Sequence, residues 1–155
     1  PIVRECIYRT IHRIVSKVII LNDENKILMA KSSRGFFTGY WTLPGGFVNY
    51  GEHPREGAER EVLEELGIII NISDPMGESG NIKTGNDNSL IQQEIFNEDG
   101  INWVSFTYRS NSNVMIENIN PKEGEIEEVR WFDIEEALKI AVSHFDINAI
   151  KRISN

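Results

Sequence analysis

The chain has 155 residues, 40% apolar and 26% charged, which is the composition of an ordinary globular protein and the length of one domain. Its net charge of −8 repels polyanions and argues against long nucleic acid as a partner. No apolar run approaches the roughly 18 residues needed to span a membrane, and the lone cysteine, Cys6, excludes an internal disulfide and fits a reducing, cytoplasmic setting. The first residues, Pro-Ile-Val-Arg-Glu-Cys, lack the basic-then-apolar layout of a secretion signal.

Cys6 to Ile11 reads either as an edge strand or as an extended arm. Residues 13–21 are rich in β-branched side chains and predict a strand. Lys26 to Ala30 predicts a second strand, joined to the first by a turn over Asn22 to Asn25. The passage 31–46 is rich in glycine and aromatic residues. Within it Phe36, Phe37 and Tyr40 have two readings, stacking on a base or packing into the core. Lys31 and Arg34 are candidates for phosphate oxygens.

A helix is predicted after Pro54, which suits a first helical position, and before Gly67, which suits a left-handed cap. Ala58, Val62 and Leu66 recur every four residues as an apolar stripe. Glu61, Glu64 and Glu65 lie at i, i+3 and i+4, so three carboxylates occupy neighbouring positions with Arg60 beside them. Like charges at such spacing repel. Hard oxygen ligands gathered without matching cations are what Mg²⁺ or Mn²⁺ requires.

Gly46, Glu52, Arg60, Glu61, Val62, Glu64, Glu65, Gly67 and Ile68 fill every specified position of the signature box of the Nudix hydrolases, which this segment resembles. A chance match in a chain of this length has odds of roughly one in 10⁸ at average residue frequencies. The preceding Trp41-Thr-Leu-Pro-Gly-Gly also resembles the family's approach to the box, and Trp41 is expected to be structural. The resemblance implies an α/β/α sandwich with a mixed β-sheet. It implies metal ligation by Glu61 and Glu65, by Glu64 directly or through water, and by the Gly45 carbonyl. Arg60 and Glu52 are implied to orient those carboxylates. Glu64 and Glu61 are candidate bases, alongside an acid from the run Glu123, Glu125, Glu127 and Glu128. Arg34, Phe37 and Glu128 are candidate substrate contacts.

Beyond the box, Ile68 to Ile72 predicts a strand. Residues from about 74 to 100 predict a long, insertion-like loop, whose apolar knot Leu90 to Phe96 suggests a lid or a contact with a second subunit. Asn102 to Arg109 predicts a strand with Trp103 and Phe106 in the core, Val114 to Asn118 a short one, and Glu125 to Phe132 another. Asp133 and Glu136 form a capping-box pattern for a helix from Ile134 to about Val142, and Ser143 to Ile153 predicts a last helical segment. His12, His53 and His144 have no metal-ligand spacing, and no motif surrounds Cys6.

The expected function is divalent-metal-dependent hydrolysis of the diphosphate in a nucleoside diphosphate linked to another group, of the ADP-ribose or nucleotide-sugar type. Gly46-Phe-Val-Asn-Tyr-Gly-Glu resembles ADP-ribose-type members, whereas the proline that often follows their box by about 15 residues is absent. Positions 83–85 are Lys-Thr-Gly. The alternative is a nucleoside triphosphate pyrophosphohydrolase. A sensor that binds nucleotide without cleaving it is a third reading, disfavoured because such domains lose box carboxylates. The expected partner is a small nucleotide, and dimers are common among similar enzymes.

Overall fold

The computed structural model describes residues 12–72, 75–79, 82–85 and 87–154; the expectation for Cys6 to Ile11 lies outside them. At its centre is β1 (His12–Leu21), in which Val18, Ile19 and Ile20 are all fully buried. Alternate residues of a strand point to opposite faces, so this unbroken apolar run needs cover on both sides. Val18 and Ile20 enter one core with Ala58, Val62 and Leu66 of helix α1 (Pro54–Leu66). Ile19 and Leu21 enter a second core with Ala137 of α2 (Ile134–Ile140) and Ala149 and Ile150 of α3 (His144–Ile153). Helices thus cover both faces of a mixed sheet.

β1 pairs parallel to β8 (Ile101–Asn111) and antiparallel to β2 (Ile27–Ser32) and β4 (Gly45–Phe47). β2 also pairs with β3 (Trp41–Thr42) and β9 (Ile126–Phe132). Contact with β2 is at Leu21↔Ile27 and contact with β4 is at Val15 to Lys17. Two different strands therefore flank the same edge of β1, and the loop before the box is held against its first half.

Several expectations are corrected. Ile68 to Ile72 buries alternate residues but forms no strand, because its backbone has no ladder partner among the described residues. Instead the amides of Asn120 and Lys122 satisfy the last carbonyls of α1, at Leu66 and Glu65. Positions 74–100 are mostly strand: β5 (Pro75–Ser79) and β6 (Ile82–Gly85) form a hairpin, and β7 (Leu90–Glu98) is an edge of the main sheet. The knot from Leu90 to Phe96 is therefore sheet, not a lid. Asp99 and Gly100 have φ of 52° and 75°, the two positive values that a tight hairpin needs, and they join β7 to β8.

Ile116–Asn118 is a 3-10 turn rather than a strand. Asp133 does precede α2, but its side chain makes no capping bond, and the helix ends at Ile140. Trp103 and Phe106 are half-buried, and the fully buried aromatic of β8 is Tyr108. Among the described residues no helix is long and apolar enough to cross a membrane.

Candidate active site

Helix α1 begins at His53, whose ring Nδ1 accepts the Arg55 amide at 3.1 Å. It ends at Gly67, with φ of 68°. Between these caps the buried stripe fixes its rotation, and that rotation places the acids along the β4 side.

Arg60 organises them. Its Nε donates to Glu52 Oε2 at 2.7 Å and its Nη2 to Glu52 Oε1 at 3.1 Å, a two-pronged pairing. Nη2 also donates to the Phe47 carbonyl at 2.8 Å, and Nη1 donates to Glu61 at 3.0 Å and Glu64 at 3.1 Å. Glu52 in turn accepts the Asn49 amide at 2.8 Å, so one guanidinium ties the loop before the helix to three carboxylates. The Arg60 hydrogen bond holds the Glu52 carboxyl below its ordinary range, while Glu52 holds the Arg60 proton more firmly still.

Glu61 and Glu65 are in the opposite state. Loss of hydration raises the Glu61 pKa, against the pull of Arg60. Glu65 is pushed up to about 8, first by desolvation and then by the charge of Glu61, despite opposition from Lys17 and a backbone hydrogen bond from Gly45. Two crowded, desolvated acids fit a site for a divalent cation, which removes their repulsion.

The glycines allow this crowding. A Cβ on Gly46 would lie 2.6 Å from the Glu61 carboxyl carbon, and one on Gly45 would lie 2.2 Å from the Ser16 carbonyl oxygen. The expected trio is only partly assembled, however. Glu64 turns toward Arg60 with its side chain half exposed, and no cluster of three acidic, imidazole or thiol groups is arranged as a ready metal cage among the described residues. Glu61 and Glu65 are the acids that this arrangement leaves crowded and able to take a cation.

The candidate substrate contacts are each engaged with partners outside the box. Arg34 is paired with Glu125, Glu128 with Arg130 at 2.5 Å, and Phe37 packs edge-on against Phe36 at 5.1 Å. Among the described residues neither Glu125 nor Glu128 bonds to a box carboxylate. Phe36 and Tyr40 are exposed. Trp41 is packed, edge-on to Phe132 at 4.9 Å, as expected of a structural residue.

One participant was missed from the sequence. Lys17 Nζ binds Asp146 Oδ1 at 2.5 Å, with the Asp146 side chain fully buried, and Asp146 Oδ2 accepts the Leu43 amide at 3.2 Å. Lys17 pairs in register with Gly45. The available signal was a lysine beside the apolar run Val18 to Leu21.

A pH dependence follows for the metal-free protein. A carboxyl whose pKa is raised on folding adds stability that is complete below its unfolded value, near 4.5, and lost as pH rises through its folded value, near 8. Melting scans in chelator should therefore show stability falling between pH 5 and pH 9. Glu65→Gln should flatten that slope and raise stability at pH 8 by on the order of 2 kcal/mol. An unchanged slope in the variant would remove Glu65 as its source.

The sequence profile of the NUDIX domain matches residues 11–153. This chain belongs to the Nudix hydrolase family. Among its Nudix relatives, an ADP-ribose pyrophosphatase of Methanocaldococcus jannaschii is 39% identical over 67 residues, or 43% of this chain and 40% of that protein. An oxidized purine nucleoside triphosphate hydrolase of Danio rerio is 29% identical over 122 residues, 76% of this chain and 65% of that one. The matches thus span 40% and 65% of the lengths of these two relatives. The Nudix fold agrees with a MutT NUDIX hydrolase structure from Burkholderia pseudomallei, at a TM-score of 0.67 and 23% identity, covering 92% of this chain and 98% of that one.

Proposed function

We propose that this chain is a divalent-metal-dependent hydrolase that cleaves the diphosphate of a nucleoside diphosphate linked to another moiety, of the ADP-ribose or nucleotide-sugar type. The observation that carries this reading is the contrast along α1. Arg60 neutralises Glu52 and one flank of the cluster, while Glu61 and Glu65 are left crowded and desolvated beside the Gly45-Gly46 backbone.

Glu61, Glu65 and the Gly45 carbonyl would hold Mg²⁺ or Mn²⁺. Bound there, the metal supplies positive charge to phosphate oxygens that already carry negative charge. Arg60 and Glu52 act by orientation, fixing Glu61 and Glu64 through the hydrogen bonds described. We assign Glu64 as the general base. It has an open side toward solvent, and Arg60 holds its other side. Water adds to phosphorus, the phosphorus–oxygen bond of the anhydride breaks, and the water proton passes to Glu64.

The type of leaving group is supported by the archaeal ADP-ribose pyrophosphatase. A second reading, pyrophosphate release from nucleoside triphosphates, is favoured by one specific observation: the zebrafish and mouse triphosphate hydrolases align over 76% and 80% of this chain. Incubating the chain and Mg²⁺ with nucleotide sugars, ADP-ribose and nucleoside triphosphates, then weighing the products, separates the two. Nucleoside monophosphate plus a phosphorylated sugar supports the first, and pyrophosphate the second. Inertness toward every anhydride sinks both. Glu64→Gln is expected to lower turnover by about 100-fold or more while the fold persists; full activity would remove Glu64 as base. A cytoplasmic setting and a homodimer remain part of this proposal.

A further inference from the structure

β7 has β8 on one side and no strand on the other among the described residues. An open edge offers its unpaired N–H and C=O groups to another chain, and proteins blunt such edges with lysine, proline or a bulge. On β7 that protection is confined to one end. A register shift lies between Leu90 and Gln92, and Arg152 Nε donates to the Ile91 carbonyl at 3.4 Å. From Gln92 to Glu98 the strand pairs with β8 without irregularity and contains neither lysine nor proline. That stretch is a bare template.

Its side chains indicate which partner fits. Ile14, Val104 and Ile95 stand in register across β1, β8 and β7. Their parity matches that of Val18 and Tyr108, so the row lies on the α1 face. Val104 in the middle is half-buried, whereas Ile95 at the edge is 74% exposed. A lone exposed isoleucine is ordinary, but this one ends an apolar row at an unpaired edge. A second copy of the same edge continues the row, with Ile95 against its own counterpart.

We propose that β7 is a homodimer interface, in which residues 92–98 pair antiparallel with the same residues of a second copy about Ile95. Charge selects this register. Antiparallel self-pairing that keeps both α1 faces on one side is centred on a single residue. Centred on Glu94, the acid faces its own copy; centred on Phe96, Glu94 faces Glu98. Like charges directly opposite are destabilising. A centre at Gln93 runs into the irregularity beyond Gln92, and one at Asn97 runs out of strand. Centred on Ile95, Gln93 meets Asn97, Gln92 meets Glu98 and Glu94 meets Phe96, so no acid opposes another. The interface specifies the homodimer included in the proposed function and is independent of the hydrolytic chemistry.

Sedimentation equilibrium of the full chain at micromolar concentrations, without substrate, tests it. The wild type is expected to form a monomer–dimer mixture that moves toward dimer as concentration rises. Ile95→Lys changes an exposed position, so the melting temperature should hold while association weakens by about tenfold or more. Cross-linking in a Cys6→Ser background, which removes the lone cysteine, reads the register. Under oxidant Ile95→Cys should give a disulfide-linked dimer, because directly opposed residues of antiparallel strands lie within bridging distance. Asn97→Cys, which faces Gln93, should not. A monomer at every concentration overturns the interface together with the homodimer, whichever other segment or protein then covers the edge. A dimer that Ile95→Lys leaves unweakened, that Ile95→Cys fails to link, or that Asn97→Cys links as readily overturns the interface alone. Anhydride hydrolysis is scored separately, so the failure of either result leaves the other standing.

Discussion

Lys17→Met is expected to destabilise the protein by about 3–5 kcal/mol, because it leaves the Asp146 carboxylate buried without its counter-charge. The effect should be large for its size of change. Asp146 is fully buried, its only other hydrogen bond among the described residues comes from the Leu43 amide, and Lys17 is itself nearly buried. These contacts tie α3 to β1 and to the segment entering the box, so their loss should also loosen the Gly45-Gly46 passage. The double variant Lys17→Met with Asp146→Leu should recover most of the stability, since a buried ion pair replaced as a unit by apolar groups is often neutral. Chemical denaturation of both single variants and the double variant reads this directly. Additive losses in the double variant would show that the two side chains act independently.

Turnover is where Glu61→Gln should tell most. We expect a loss on the order of 10³-fold, with the folded state intact or slightly firmer. The amide retains an acceptor for Arg60 Nη1 and removes one of the two crowded charges. Mn²⁺ affinity measured by calorimetry should fall in parallel. Gly46→Ala should act in the same direction by another route, because its methyl group would press on the same carboxylate. Wild-type turnover in Glu61→Gln would contradict the proposed centre.

Much of the candidate site was legible because it is local. The Pro54 start, the Gly67 cap and the stripe of Ala58, Val62 and Leu66 all lie within one helix and its ends. Helical spacing then decides which acids stand near Arg60. Two of the sheet strands were legible for a similar reason: β1 and β9 carry enough β-branched or alternating residues to declare their period. The stretch 74–100 was misjudged because its glycine, asparagine and serine content resembles loop, although Asp99-Gly100 is a strong short-range sign of a hairpin. Ile68 to Ile72 had the alternation of a strand without a ladder partner among the described residues. Alternation reports burial, whereas a strand also needs a ladder.

The sequence by itself determined the acidic helix, its family and the order of most of its elements, because each depends on residues a few positions apart. Only the tertiary structure decided how the acids divide. It set Glu64 outward against Arg60, pressed Glu65 against Glu61, and brought Lys17 to Asp146 across 129 positions of chain. The reason is that desolvation and charge pairing depend on what the folded chain places beside each carboxylate, and spacing along a single helix does not specify its neighbours from other elements.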